Sequence, residues 1–226
     1  VMFAGLLGLV SADVGLFLPL LAAHLLWINL ITDGPPALAL GVDPKDPDVM
    51  LRAPRQRGTG VLTAEDWLRL AAIGGVMMVG TLAVLDAYYP GGLFSPLAKG
   101  SAPNVADETH ARTMAFTTLM MFQLFNAFNC RSSWRSAFGG VTENMWLVAA
   151  VLLSLVMHVL VIYVPVLQTA FHTVPLSAHD WAIATMVAVT LLAVMEATKL
   201  LMRRRSARIA LAEQPPEPAL RARQGA

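Results

Sequence analysis

Four oxygen-bearing side chains stand in stretches otherwise apolar enough to cross a membrane. Asn29, Thr32 and Asp33 fall in residues 27–41, WINLITDGPPALALG, and Gln123 falls in FTTLMMFQLFNAFN. Asn29 and Asp33 are spaced i and i+4, with Thr32 between them, so on a helix all three oxygens come close to one face. A carboxylate at mid-membrane costs about 2.5–3.5 kcal/mol on insertion scales, and such residues by default mark a functional site. Gly34-Pro35-Pro36 follows at once. Pro35 has no N–H for the carbonyl of Ile31, nor Pro36 for that of Thr32, and each disfavours helical geometry in the residue before it. The helix is therefore expected to unwind there. Carbonyls freed at membrane depth persist only where they face protein, water or an ion.

A carboxylate, an amide oxygen, a hydroxyl and loose carbonyls together form a hard, oxygen-rich site. That chemistry suits Ca²⁺ or a similar cation, or a proton relay. Ca²⁺ takes about six to eight oxygens. Gln123 is the best further donor here, because Asn126 and Asn129 lie nearer the end of the same segment. A complete site needs ligands from elsewhere. The rival reading is a kinked helix whose polar residues only hydrogen-bond to neighbouring helices.

Other polar residues in apolar surroundings read as structural. His158 in SLVMHVLVIYV and His24, one turn before Asn29, read as packing histidines. Glu196 and Lys199 lie near a helix end, where they can pair or snorkel. Asp13 and Asp86 fall near the opposite interface. Met77, Met78, Met120 and Met121 read as packing or lipid-facing, and Gly74, Gly75 and Gly80 permit close helix approach.

The elements that must carry these residues are membrane helices. Of the 226 residues 56% are hydrophobic and only 14% charged, against roughly 25% charged in soluble domains. The fold expected is an all-α integral membrane bundle of about six transmembrane helices, the first partial, with one helix broken at Gly34-Pro35-Pro36. A span needs about 20 apolar residues. Five segments meet this, at 16–42, 68–85 (extended to 89), 114–128, 145–164 and 181–201, preceded by a half-length stretch at 1–10. Residues 1–202 form the transmembrane cation-transport domain, and 203–226 a basic, proline-containing disordered tail. Lys45, Arg52, Arg55 and Arg57, then Arg131 and Arg135, then Arg203–Arg205 fall in alternate connections. The positive-inside rule puts 43–66, 131–143 and the C-terminus in the cytoplasm. A net charge of +1 implies nothing about nucleic acid, which is not an expected partner, and a single cysteine, Cys130, excludes a disulfide framework. Val1 has no basic region before it, so no cleavable signal peptide is expected. Low Lys with frequent Arg and Ala suggests a bacterial plasma membrane.

WINLITDGPPALALGVDPKDPDVMLRAPR resembles the sixth transmembrane helix and following loop of the calcium-pump-like (type II) P-type cation ATPases. FTTLMMFQLFNAFNCRS resembles their eighth helix, and VMHVLVIYVP and VMEATKLLMRR their ninth and tenth. The resemblance implies that 1–10 is the end of a fifth helix. It carries the family's ion ligands onto Asn29, Thr32 and Asp33, and places Gln123 where sarcoplasmic-reticulum-type pumps have Glu and plasma-membrane-type pumps have Gln. A single site on Asn29 and Asp33 follows, with Ca²⁺ favoured over Mn²⁺ and other cations. Pro35 departs from the commoner Leu. The Asp-Lys-Thr-Gly, Thr-Gly-Glu and Gly-Asp-Gly motifs are absent from the sequence. This chain alone is therefore expected not to hydrolyse ATP, and ATP and Mg²⁺ would act only through domains in the N-terminal remainder of the pump. The loop 43–57 resembles the segment that lies against the phosphorylation domain. Two other classes compete: a stand-alone membrane protein acting as passive cation pathway or pump regulator, and a proton-coupled carrier using Asp33. The half helix at Val1 weighs against the first, and the lack of a second broken helix against the other.

Overall fold

The computed structural model describes residues 20–44, 62, 64–90, 92–93, 105–131 and 143–212. Helix α1 spans Ala22–Ile28, a π-helical turn spans Asn29–Asp33, and α2 spans Gly34–Gly41. Then come α3 (Ala64–Tyr88), α4 (Val105–Cys130), α5 (Met145–Tyr163), α6 (Pro165–Phe171) and α7 (Ala178–Ala212). Among the described residues there is no strand, as the apolar runs without alternation predict. Asp13, the stretch 1–10, most of the 43–66 loop and Arg135 lie outside the described residues.

Among the described residues three helices are long and apolar enough to cross a membrane: Asp66–Tyr88, Met145–Tyr163 and Ala178–Leu200. The chain is thus an integral membrane helical bundle. Two of the five expected spans differ from a plain apolar rod, each for a physical reason. The 16–42 segment is divided at its prolines into α1, the π-turn and α2. The 114–128 segment is a longer, more polar helix, because α4 is the centre of the bundle. It packs against α3 and α7, and also against α5 and the π-turn. Met114, Phe116, Thr117, Thr118, Met120 and Phe122 are all fully buried. Its threonines tolerate burial by donating to carbonyls one turn back, Thr113 to Thr109 and Thr118 to Met114, both at 2.8 Å. A helix surrounded by protein has no need of a lipid-like surface.

Gly80 does what the sequence suggests. A Cβ there would stand 2.6 Å from the Phe122 ring, so its absence lets α3 approach α4 closely. Gly74 and Gly75 have nothing within 4 Å and do not serve this purpose. Met77, Met120 and Met121 are core, while Met78 is exposed. Pro165 opens α6 after Val164 is held extended, and the left-handed His172 ends it. Where the sequence predicts a disordered tail from 203, α7 continues to Ala212. Arg, Ala, Leu and Ile there are competent helix formers, and Pro215-Pro216 comes only later. Residues 213–226 lie outside the described residues.

Polar knots tie both ends of the bundle. At one end Arg131 pairs with Asp43 at 3.2 Å and reaches Glu143 at 3.5 Å. Asn144 donates to the Ala39 carbonyl at 2.9 Å and to Asp43 at 2.7 Å, while its own oxygen caps α5 through Leu147 N–H at 3.0 Å. At the other end the buried Asp180 carboxylate accepts from Tyr88 O–H at 3.0 Å and from Ser177 N–H and O–H at 2.9 and 2.8 Å. His110 lies 3.2 Å from the same carboxylate. Asp43, Arg131, Glu143 and Asn144, at the edges of two loops expected on one membrane face, thus meet at one end of the bundle.

Candidate cation site

The prolines do not unwind the chain at Gly34-Pro35-Pro36. Pro35 and Pro36 sit in the first turn of α2, where a missing N–H costs least. The disturbance is displaced upstream, into the π-turn Asn29–Asp33. Such widened turns are rare and are frequent at functional sites. The turn packs against α4 and α5, with Ile31 set against the Met120–Met121–Phe122–Leu124 core.

The widened turn separates the three expected ligands. Asn29 and Asp33 are exposed on the surface of this chain, and neither side chain has a hydrogen-bond partner among the described residues. Thr32 instead points into the bundle, 6% exposed, its hydroxyl donating to the Ile28 carbonyl at 2.7 Å. The expectation of three oxygens on one face is thus met by two. The physical reason is the wider turn, which needs more than four residues per revolution. Gln123 is half-buried on α4, three residues from Met120, on the helix that the π-turn touches. Asn126 and Asn129 lie further along. They line a separate cavity of about 190 Å³ with Asp66, Arg69 and Cys130.

The carbonyl of Ile31, deprived of its partner by Pro35, is not free. Ser154 on α5 donates its hydroxyl to it at 2.7 Å. Sequence reasoning missed Ser154 and also Asn144; the signal for each is a lone small polar residue at the edge or centre of an apolar helix. The remaining buried polar groups behave as structural. His158 is fully buried with Nε2 3.1 Å from the Thr117 hydroxyl. His24 is fully buried, its Nε2 2.6 Å from the Phe171 carbonyl and its ring stacked on Phe116 at 4.4 Å. Lys199 does not snorkel: it is 1% exposed, 3.4 Å from the Asn129 oxygen and 3.6 Å from Glu196. Among the described residues no three His, Cys, Asp or Glu side chains cluster to hold a metal.

Residues 17–201 match the family model described as "Cation transporting ATPase, C-terminus". The chain belongs to this family. Within the cation-transporting ATPases, it is 37% identical to a calcium-transporting ATPase of Bacillus subtilis (strain 168), over 73% of this chain and 17% of that protein. It is 37% identical to calcium-transporting ATPase type 2C member 2 of Mus musculus, over 80% of this chain and 18% of the relative. It is 33% identical to calcium-transporting ATPase 1 of Yarrowia lipolytica, over 87% and 20%. The chain thus spans about a fifth of the length of these relatives.

Proposed function

We propose that this chain is the C-terminal membrane region of a P-type ATPase that moves a cation, Ca²⁺ in the first instance, and supplies part of its binding site. Asp33 and Asn29 are the principal ligands; Gln123, on the helix that the turn touches, is a secondary oxygen, and Thr32, turned into the bundle, is the least suited of the four. The observation that carries this reading is the pair of oxygen-bearing side chains Asn29 and Asp33, one turn apart on a π-turn and exposed on the surface of this chain, with no hydrogen-bond partner among the described residues. A carboxylate left without partner at membrane depth is costly, and a shared cation removes the cost. The donors are hard oxygens, as Ca²⁺ prefers, and too few for its coordination shell. The remaining ligands come from helices outside this chain, against which the exposed face of Asn29 and Asp33 is set. ATP and Mg²⁺ act through the N-terminal remainder of the pump, whether covalent or a separate chain. Residues 43–66, 131–143 and the C-terminus face the cytoplasm, consistent with their arginines and lysines, and the host membrane is a bacterial plasma membrane.

The test is made in the complete pump. Asp33→Asn is expected to abolish cation-dependent phosphorylation by ATP while leaving phosphorylation by inorganic phosphate in the absence of cation. Normal Ca²⁺ transport by the variant would sink the assignment of the site. Dependence on Mn²⁺ with indifference to Ca²⁺ would keep the site and change its cargo.

A further inference from the structure

We infer that Ser154 is a positioning residue for the cation-binding turn, its hydroxyl standing in for the amide that Pro35 lacks. In an unbroken helix the Ile31 carbonyl takes the N–H of residue 35. Proline removes that donor, and a carbonyl left unsatisfied at membrane depth is costly. Ser154, fully buried, meets the carbonyl at 2.7 Å.

The contrast with the other hydroxyls argues against a chance contact. Buried helical serines and threonines commonly bond back to their own helix. Thr32, Thr113 and Thr118 all do so here, each to the carbonyl four residues earlier. Ser154 forgoes that option and reaches across from α5 to a residue 123 positions away in sequence. The peptide unit it pins is the midpoint of the site. Ile31 lies two residues from Asn29 and two from Asp33, so fixing its carbonyl fixes how the two ligand-bearing backbones face each other.

The inference rests on the reading of Asn29 and Asp33 as ligands, and the experiment has two arms that separate the two claims. In the first, the full chain is labelled with ¹³C-carbonyl isoleucine and ¹⁵N-threonine. Ile31-Thr32 is the one Ile-Thr step in the sequence, so a single carbonyl resonance reports the bond. Ser154→Ala should move it upfield, as for a lost hydrogen bond, and Ser154→Thr should leave it in place. A resonance unmoved by Ser154→Ala overturns the inference. In the second arm, the complete pump carrying Ser154→Ala should need about five- to tenfold more Ca²⁺ for half-maximal phosphorylation, the worth of one hydrogen bond. Its maximal phosphorylation level should be unchanged, and Ser154→Thr should restore the affinity. If Asp33→Asn abolishes the response while Ser154→Ala leaves affinity unaltered, Ser154 does not position the site, although the site stands. If neither substitution changes cation dependence, the cation reading fails, and the carbonyl resonance alone decides whether Ser154 shapes the turn.

Discussion

Asn144 does three jobs at once: it caps α5, holds the Ala39 carbonyl near the end of α2 and meets Asp43. Asn144→Ala removes all three and should lower unfolding stability by about 2–3 kcal/mol, summing a lost cap and a lost buried hydrogen bond. Asn144→Asp keeps the capping oxygen but sets a second carboxylate against Asp43 and the Ala39 carbonyl. It should therefore be at least as damaging as Ala at neutral pH. Thermal unfolding of both variants at neutral pH checks this, and an Asp variant as stable as wild type would contradict it. At this scale the sequence was informative where a residue's type was itself anomalous. Asp33 and Asn29 announce themselves because apolar surroundings make them expensive. Ser154 and Asn144 do not, since a serine or asparagine satisfied by a distant carbonyl looks no different in sequence from one bonded to its own helix.

Between elements, α3 approaches α4 closely at Gly80, whose missing side chain admits the Phe122 ring. Gly80→Ala overpacks the seam between α3 and α4 and should cost about 1–3 kcal/mol. Gly74→Ala, with nothing within 4 Å, should be neutral or slightly stabilising because alanine favours the helix. The pair of variants measured side by side tests the packing, and equal effects would contradict it. Hydropathy located the long helices, since apolar length is a strong signal, but not the short α6 (Pro165–Phe171). It misjudged α4, where the 114–128 core extends to Val105–Cys130, because a helix enclosed by protein can carry threonines and amides that a lipid-facing one cannot. The prolines told that a carbonyl loses its donor, but not whether the chain would unwind or widen. That choice belongs to α5, which supplies the replacement donor.

Across the whole molecule, the two polar knots assign the chain ends of the helices to opposite faces. The 42–44, 131 and 143–144 segments share one end, and Tyr88, His110 and Asp180 the other. With Cys130 replaced by Ser, a cysteine at Glu143 should react with an impermeant thiol reagent only from the cytoplasmic side. A cysteine at the exposed His172 should react only from the opposite side. Labelling of both from one side would overturn the topology. The alternation of arginine-bearing connections predicted this arrangement, since charge placement is set by insertion and needs no knowledge of packing. The contacts that enforce it were not legible, because each joins residues far apart in the chain. One of them has a mechanical consequence. Helix α2 is a stiff rod of eight residues, about 12 Å long, gripped near its end at Ala39 and Asp43 and joined to a soft, widened turn at Asp33. A tilt of about 10° about the gripped end swings the far end by about 2 Å on that arm. Ca²⁺–oxygen bonds tolerate only a few tenths of an ångström around about 2.4 Å. In the proposed site, a nudge delivered at Asp43 would therefore be enough to pull the Asp33 carboxylate off a bound cation.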